Sequence, residues 1–257
     1  MNGVNKTMYI PLYGKAYVSR RGILLQDTKA EQIWHAEGFP LKGKASSKWL
    51  AFYMGMRSAV FDNWLLAQLR EAPDAVVVHL GCGMDSRIER IGSGFQQWYD
   101  IDFPEVIAER RRYFTETEAY KMLPADIRES SWLEGIPEHV PAIVLLEGVS
   151  MYLTTQERNR LMEQLTSHFS SVKVLMDCYT IMAAKASRYK NPINEVGVTQ
   201  VYGLDSPDEI NLTFVREHAL TPQSLIDQLS GMEKHIFKSV FAGSFSRKLY
   251  RLYEYEA

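Results

Sequence analysis

The residues with chemistry to offer are two glycines and three acids, spaced as if each closed an apolar strand. Gly81 and Gly83 flank Cys82 directly after the run Val76-Val77-Val78-His79-Leu80. Asp102 follows Gly83 by nineteen residues, at the end of a second run, Trp98-Tyr99-Asp100-Ile101. Asp126 and Glu147 stand after two further apolar stretches. Strand, glycine turn, helix, strand, acid is the layout of a nucleotide-binding βαβ unit. The glycines let the backbone turn tightly and approach a ligand without a side chain between them. The acid at the tip of the second strand accepts from both ribose hydroxyls. The bland reading of Gly-x-Gly is a turn and nothing more.

One residue separates two cofactor classes. A dinucleotide lays its pyrophosphate on the helix N-terminus, and a third glycine makes room for it. Ser86 occupies that position. S-adenosyl-L-methionine has no phosphate and needs only the turn and the acid, so the pattern favours it over a nicotinamide cofactor. In open α/β sheets ligands bind outside the carboxyl ends of the strands. Asp102 is then placed at ribose, Asp126 at the adenine amino group with Ile127 against the ring, and Glu147 near the methionine portion. Cys82, Gly83, Phe103 and Gly148 adjoin these positions and complete the expected cofactor contacts.

The elements needed to position these residues are readable. Strands are expected at Val76 to Leu80, Gln97 to Ile101, Lys121 to Leu123, Ala142 to Leu146 and Val172 to Met176, with the fourth apolar throughout, as in a strand buried on both faces. Helical patterns fall between them, at Met84 to Ile91, Glu105 to Thr115 and from Thr154 or Thr155 to Phe169. Alternation of this kind implies a parallel sheet. Upstream, residues 1–72 read as a helical extension, including an amphipathic run from Ser46 or Ser47 to Leu69. Residues 73–178 form the cofactor-binding core, and 179–234 a lid over the acceptor, with helices at Ile181 to Tyr189 and Thr221 to Leu229 and loops at Asn191 to Asn194 and Gly203 to Asp208. Residues 235–257 read as a terminal hairpin of two strands joined near Ala242-Gly243-Ser244. Tyr179, Tyr189, Tyr202 and Phe214 are aromatics available to stack on an acceptor ring.

Composition excludes several classes. The 257 residues carry a formal charge of -2 and are 46% hydrophobic, ordinary for one globular domain without a basic surface for nucleic acid. The cluster Arg110-Arg111-Arg112 lies among Glu105, Glu109 and Glu116 and reads as a solvated helix face. Cys82 and Cys178 are isolated, with no metal spacing, which suits free thiols in a reducing compartment. No apolar run approaches the ~18 residues of a membrane span, and the start lacks a signal peptide's apolar region. The expectation is a soluble, cytoplasmic protein without metal, nucleic-acid or membrane partner.

The runs VVHLGCGMDSRIERI, WYDIDFPEVIAERRR and LLEGVSMYLT resemble the leucine carboxyl methyltransferase superfamily. They are most similar to its bacterial branch, the polyketide-biosynthesis O-methyltransferases of the TcmP type, and IPLYGKA and MRSAVFDNWL agree with that branch. The resemblance implies a class I methyltransferase fold: Rossmann-like α/β, with a seven-stranded, mostly parallel sheet, an N-terminal helical extension and a helical lid. Carried over by position, it puts Arg57 on the cofactor carboxylate and Gly81 backbone-first against the cofactor. Asp102 falls at ribose, Asp126 and Ile127 about adenine, and Glu147 on the amino group. Lys15 falls near a cofactor or substrate carboxylate, and Tyr152 near the transferring methyl. From spacing alone, Arg57 reads instead as a snorkelling surface arginine. Cys82 and Ser86 depart from the family's small residue and threonine.

Methyl transfer from a sulfonium is an in-line displacement that depends on orientation. A carboxylate acceptor is already ionised, whereas a phenol benefits from a base. The histidines are scattered and read as structural, which favours carboxyl methylation. The leading expectation is an S-adenosylmethionine-dependent O-methyltransferase acting on a carboxylate or hydroxyl of a small, polyketide-like molecule. The alternatives are methylation of a protein's C-terminal leucine carboxylate and a non-catalytic cofactor-binding protein.

Overall fold

The computed structural model describes residues 6–187, Asn194, Val198 and residues 200–257. Tyr189 and most of the loop expected at Asn191 to Asn194 lie outside the described residues. A seven-stranded sheet forms the centre, in the order β3-β2-β1-β4-β5-β7-β6. Its strands are β1 (Val76–Leu80), β2 (Gln97–Asp102), β3 (Tyr120–Pro124), β4 (Pro141–Leu146), β5 (Ser171–Tyr179), β6 (Thr213–Glu217) and β7 (Tyr250–Glu256). The first five are parallel; β7 runs antiparallel between β5 and β6. The five expected parallel strands form, each within a residue or a few of its expected bounds.

Strand alternation assigns the two faces. Val77, Ile143, Leu145 and Leu175 point into one core, and Val76, Val78, Val144 and Leu146 into the other. The first core is closed by α1 (Tyr9–Arg20), α2 (Thr28–Glu37) and α3 (Lys48–Glu71). The 24-residue α3 starts at Ser47, whose side chain accepts from the Trp49 N–H. The second face is covered by α6 (Thr155–His168), which opens on a reciprocal capping box between Thr154 and Glu157. Between them, α4 (Arg87–Ile91) and α5 (Pro104–Arg110) follow β1 and β2. Both are shorter than the periodicity suggested: Met84 to Ser86 remain in the turn, and α5 ends at Arg110 rather than Thr115.

The C-terminal hairpin does not exist. Residues expected as its first strand form α9 (Gly231–Ile236) and a π-helical turn, Phe237–Phe241, and then, after Gly243 at φ +68°, α10 (Ser244–Leu249) leads into β7. Ile236, Phe237, Val240 and Phe241 fit helical as well as strand spacing, and tertiary packing decides: Phe237 meets Phe52 edge-on and stacks near Phe241. Instead β7 pairs antiparallel with β5 on one side and on the other with β6, more than thirty residues upstream, inside the segment expected to be lid. That segment also holds α7 (Ile181–Ser187) and the short α8 (Gln223–Ile226), which ends before the expected Leu229.

The arginine cluster is also not a uniform solvated face. Arg111 and Arg112 are exposed, but Arg110 is completely buried. Its guanidinium bonds Asp100 at 2.5 Å and the Tyr120 hydroxyl at 3.1 Å, and reaches the carbonyls of Gly83 at 3.1 Å and Asp85 at 2.6 Å. It therefore clamps the glycine turn from beneath. Removing one partner of such a buried set strands the other charge. Arg110→Ala is expected to lower unfolding stability by about 3–5 kcal/mol in chemical denaturation. Arg112→Ala should leave the midpoint unchanged.

Candidate active site

At the carboxyl ends of the parallel strands lies a cavity of about 870 Å³, lined by all eleven expected cofactor residues and by Tyr152. The first shelf is the turn after β1. Gly81, Gly83 and Gly148 have φ of +64°, +52° and +75°, a region that penalises side chains. A Cβ on Gly81 would stand 2.3 Å from Val149 Cγ2, so only glycine lets this turn pass under the loop after β4. Cys82 between them is buried, and burial pushes its thiol well above the usual range, which makes it a packing residue.

Asp102 is fixed from behind. Oδ2 accepts from the Gly83 N–H at 2.8 Å and Oδ1 from the Phe103 N–H at 2.7 Å. Burial pushes its carboxyl up to about 6, against the pull of those two N–H groups. Phe103 and Ile127 line the same end of the cavity. Asp126 is different: Arg128 grips both its oxygens, Nε at 2.9 and 3.0 Å, and this hydrogen bonding holds the carboxyl below its usual range.

The opposite end is built on buried charge. Arg57 of α3 is no snorkelling arginine. Its Nε donates to Glu147 Oε1 at 3.0 Å and its Nη1 to Asp177 Oδ2 and the Tyr250 hydroxyl, both at 3.0 Å. Those bonds leave Nη2, which lies 3.4 Å from where a Cβ on Gly148 would stand. Ser58, one residue on, donates to Glu147 at 2.8 Å. Arg87 bonds the other Glu147 oxygen and Asp62. Burial opposes ionisation of Glu147, but Arg87 and Arg57 overcome it and hold the carboxyl down at about 2. Lys15 pairs with Asp85 at 3.1 Å. The sequence reading missed Asp62, Asp85, Arg87, Arg90 and Asp177. Only Asp177 carried a signal, as a polar residue at a strand end.

The remaining wall is apolar and aromatic. Trp49, Leu50 and Tyr53 come from α3, Ala183 and Ala186 from α7, and Phe241, Phe245 and Leu249 from the segment misread as a hairpin. Trp49 stacks on Phe241 at 5.4 Å, and the Tyr53 hydroxyl bonds Ser246 at 3.0 Å. Tyr152 and Tyr179 also line the cavity. Tyr202 and Phe214 do not; Phe214 packs on Tyr253 and Tyr255 at the edge of the sheet. Of the histidines among the described residues, only His79 reaches the cavity, and it is locked between Asp100 and Arg87.

Strand order, the antiparallel β7 and the rim of glycines and acids define the class I methyltransferase architecture. Two solved structures share this fold: magnesium protoporphyrin IX methyltransferase from Synechocystis PCC 6803 (TM-score 0.52, 12% identity, 88% of this chain and 91% of that one) and geranyl diphosphate C-methyltransferase from Streptomyces coelicolor (TM-score 0.50, 12% identity, 87% and 85%). At the sequence level, the leucine carboxyl methyltransferase family model matches residues 12–166. A tetracenomycin polyketide synthesis O-methyltransferase of Streptomyces glaucescens is 27% identical over 209 residues, 80% of this chain and 77% of the relative. An S-adenosyl-L-methionine-dependent methyltransferase of Gibberella zeae is 26% identical over 234 residues, 82% and 78%. The chain belongs to the leucine carboxyl methyltransferase family, and is in class an S-adenosyl-L-methionine-dependent methyltransferase. No helix among the described residues is long and apolar enough to cross a membrane.

The residues present fit that cofactor. The rim offers a side-chain-free turn, a carboxylate whose remaining lone pairs are open to a diol, and a cation and an anion for an amino-acid head group. The volume lies within the roughly 300–1,000 Å³ of small-molecule sites. Gly81→Ala would force both φ and the Val149 contact to change. It is expected to cost about 1–3 kcal/mol of stability, read as a lowered thermal midpoint.

Proposed function

We propose that this protein methylates an oxygen of a small, largely apolar acid, with a carboxylate as the acceptor group. The observation that carries this reading is the makeup of the acceptor wall. It is aromatic and apolar, and among the described residues it holds no histidine but His79. His79 is committed to Asp100 and Arg87. Burial pushes the phenols of Tyr53 and Tyr152 up, away from neutral pH. A nucleophile entering such a wall must arrive ionised, as a carboxylate does. The relative from tetracenomycin synthesis, named for polyketide chemistry, supports a ring-containing acceptor.

In this reading, bound S-adenosyl-L-methionine supplies an activated methyl whose displacement leaves a neutral thioether. The chain's task is then placement. Asp102 takes the ribose hydroxyls, and Ile127 and Phe103 enclose the adenine, with Asp126 sharing its carboxylate between Arg128 and the amino group. Arg57 and Glu147 hold the carboxylate and ammonium of the amino-acid end, with Lys15 behind them through Asp85. Gly81, Cys82, Gly83 and Gly148 supply backbone at close approach. Tyr152, which lines the cavity, would pack against the methyl.

Two experiments test it. Ribose hydroxyls donate to an ionised Asp102, and protonation removes that acceptor. Affinity measured by calorimetry should therefore be full above pH 7 and fall as pH drops through about 6. Asp102→Asn should weaken binding by about tenfold or more and abolish this dependence. A panel of aromatic acids and phenols incubated with methyl-labelled cofactor should give labelled esters from the acids, at a rate flat above neutrality. Label confined to phenols, with rates rising toward pH ~10, would reverse the acceptor assignment. Label on a peptide's C-terminal leucine alone would move the acceptor to protein.

A further inference from the structure

The cavity rests on buried charges that do not balance. Lys15, Arg57, Arg87 and Arg90 meet Asp27, Asp62, Asp85, Glu147 and Asp177 in one connected set. All nine side chains are buried, none more than 10% exposed. Four cations and five carboxylates leave one negative charge among the described residues. His79 does not cancel it. Its ring lies between Asp100 Oδ1, 3.1 Å from Nδ1, and the donor Arg87 Nη1, 3.4 Å from Nε2, an arrangement that suits a proton on Nδ1 alone. Asp100 is matched separately by Arg110.

Asp177 lies one layer behind the cavity, next to Arg57 and Gly148, which line it. It accepts from the Gly148 N–H at 2.7 Å, from Arg57 at 3.0 Å and from the Tyr250 hydroxyl at 2.7 Å. All its partners are donors, as an ionised carboxylate requires, even though burial pushes this carboxyl up. Gly148 and Arg57 both face the cavity, so one layer of protein separates the Asp177 charge from a ligand.

We propose that this uncompensated charge, centred on Asp177, makes the site prefer the methyl donor to the spent product. The inference rests on the cofactor placement above. The donor carries a carboxylate, an ammonium and a sulfonium, for a net charge of +1. The product, S-adenosyl-L-homocysteine, keeps the first two and is neutral. Arg57, Glu147 and Asp102 address groups the two ligands share. Only the sulfonium feels the surplus carboxylate selectively, through a low-dielectric interior where a unit charge acts at several ångströms. On transfer the acceptor oxygen bonds the methyl carbon, the C–S pair stays on sulfur, and the positive charge that held the ligand disappears. The site thereby favours exchange of product for fresh donor.

The test is calorimetric titration of wild-type protein and Asp177→Asn at pH 7.5 with S-adenosyl-L-methionine and, separately, S-adenosyl-L-homocysteine. The variant should lose about fivefold or more in donor affinity with little change for the product, so that the ratio of the two constants shifts by that factor. Equal loss for both ligands would mean that Asp177 only holds Arg57 and Gly148 in place, and would overturn the proposal. If the variant does not fold, wild-type protein decides with an analogue bearing a protonated amine at the sulfur position: tighter binding than the thioether supports the proposal, and equal or weaker binding rejects it. Wild-type protein that binds neither natural ligand rejects the cofactor placement itself, and the inference falls with it.

Discussion

The structure depends on the bidentate sharing of Glu147 between Arg57 and Arg87. Glu147 ends β4, Arg57 lies midway along α3, and Arg87 opens the helix after the glycine turn. One carboxylate thus ties the N-terminal helices to the sheet and to the cofactor turn. Such a set is a poor source of net stability, because desolvating the ions costs several kcal/mol each. What it supplies is position. Arg57 bonds Glu147, Asp177 and Tyr250 at once, and α3 cannot slide along the sheet without breaking all three. The N-terminal helices are therefore part of the site, not an appendage to it.

The glycine turn shows the same logic at shorter range. Its backbone is held above by Asp102, which accepts from Gly83 N–H, and below by Arg110, which takes two of its carbonyls. The turn is polar and buried, so its groups need partners. Both partners come from the second βα unit, so the first βα turn has its ligand-binding shape only once β2 and α5 are docked beside it.

The rim of glycines and acids was legible in the sequence because strand ends are local events. Gly81, Asp102, Asp126 and Glu147 each terminate an apolar run, and parallel strands bring successive ends to one side. The strand-end residues line one cavity for that reason, whereas Lys15 and Arg57, on α1 and α3, were named from resemblance alone and line it because those helices pack over the same end of the sheet. The acceptor wall was not legible. Phe241, Phe245 and Leu249 occupy a stretch whose apolar spacing suits a helix or a strand, and only Phe52 and Trp49, nearly two hundred residues away, settle it. The charge set was equally hidden. Arg87, Arg90 and Arg110 look like surface arginines until Asp62, Asp27 and Asp100 are placed against them. Long-range pairing carries no signature in local periodicity.

The insertion of β7 between β5 and β6 has a consequence for how the molecule comes into being. The longest wait of any interior strand falls on β5, which presents an open edge through the making of seventy residues (180–249) before Tyr250–Glu256 arrives, against sixty (81–140) between β1 and its partner β4. Until then β6 has no place in the sheet, and the cavity lacks Tyr250 and the wall from Phe241 to Leu249. Contacts of such long sequence separation form late and slowly. A nascent or partly folded chain therefore holds a nearly finished rim of glycines and acids but not the apolar wall opposite it, and the complete cavity arrives with the closing of the sheet rather than by degrees.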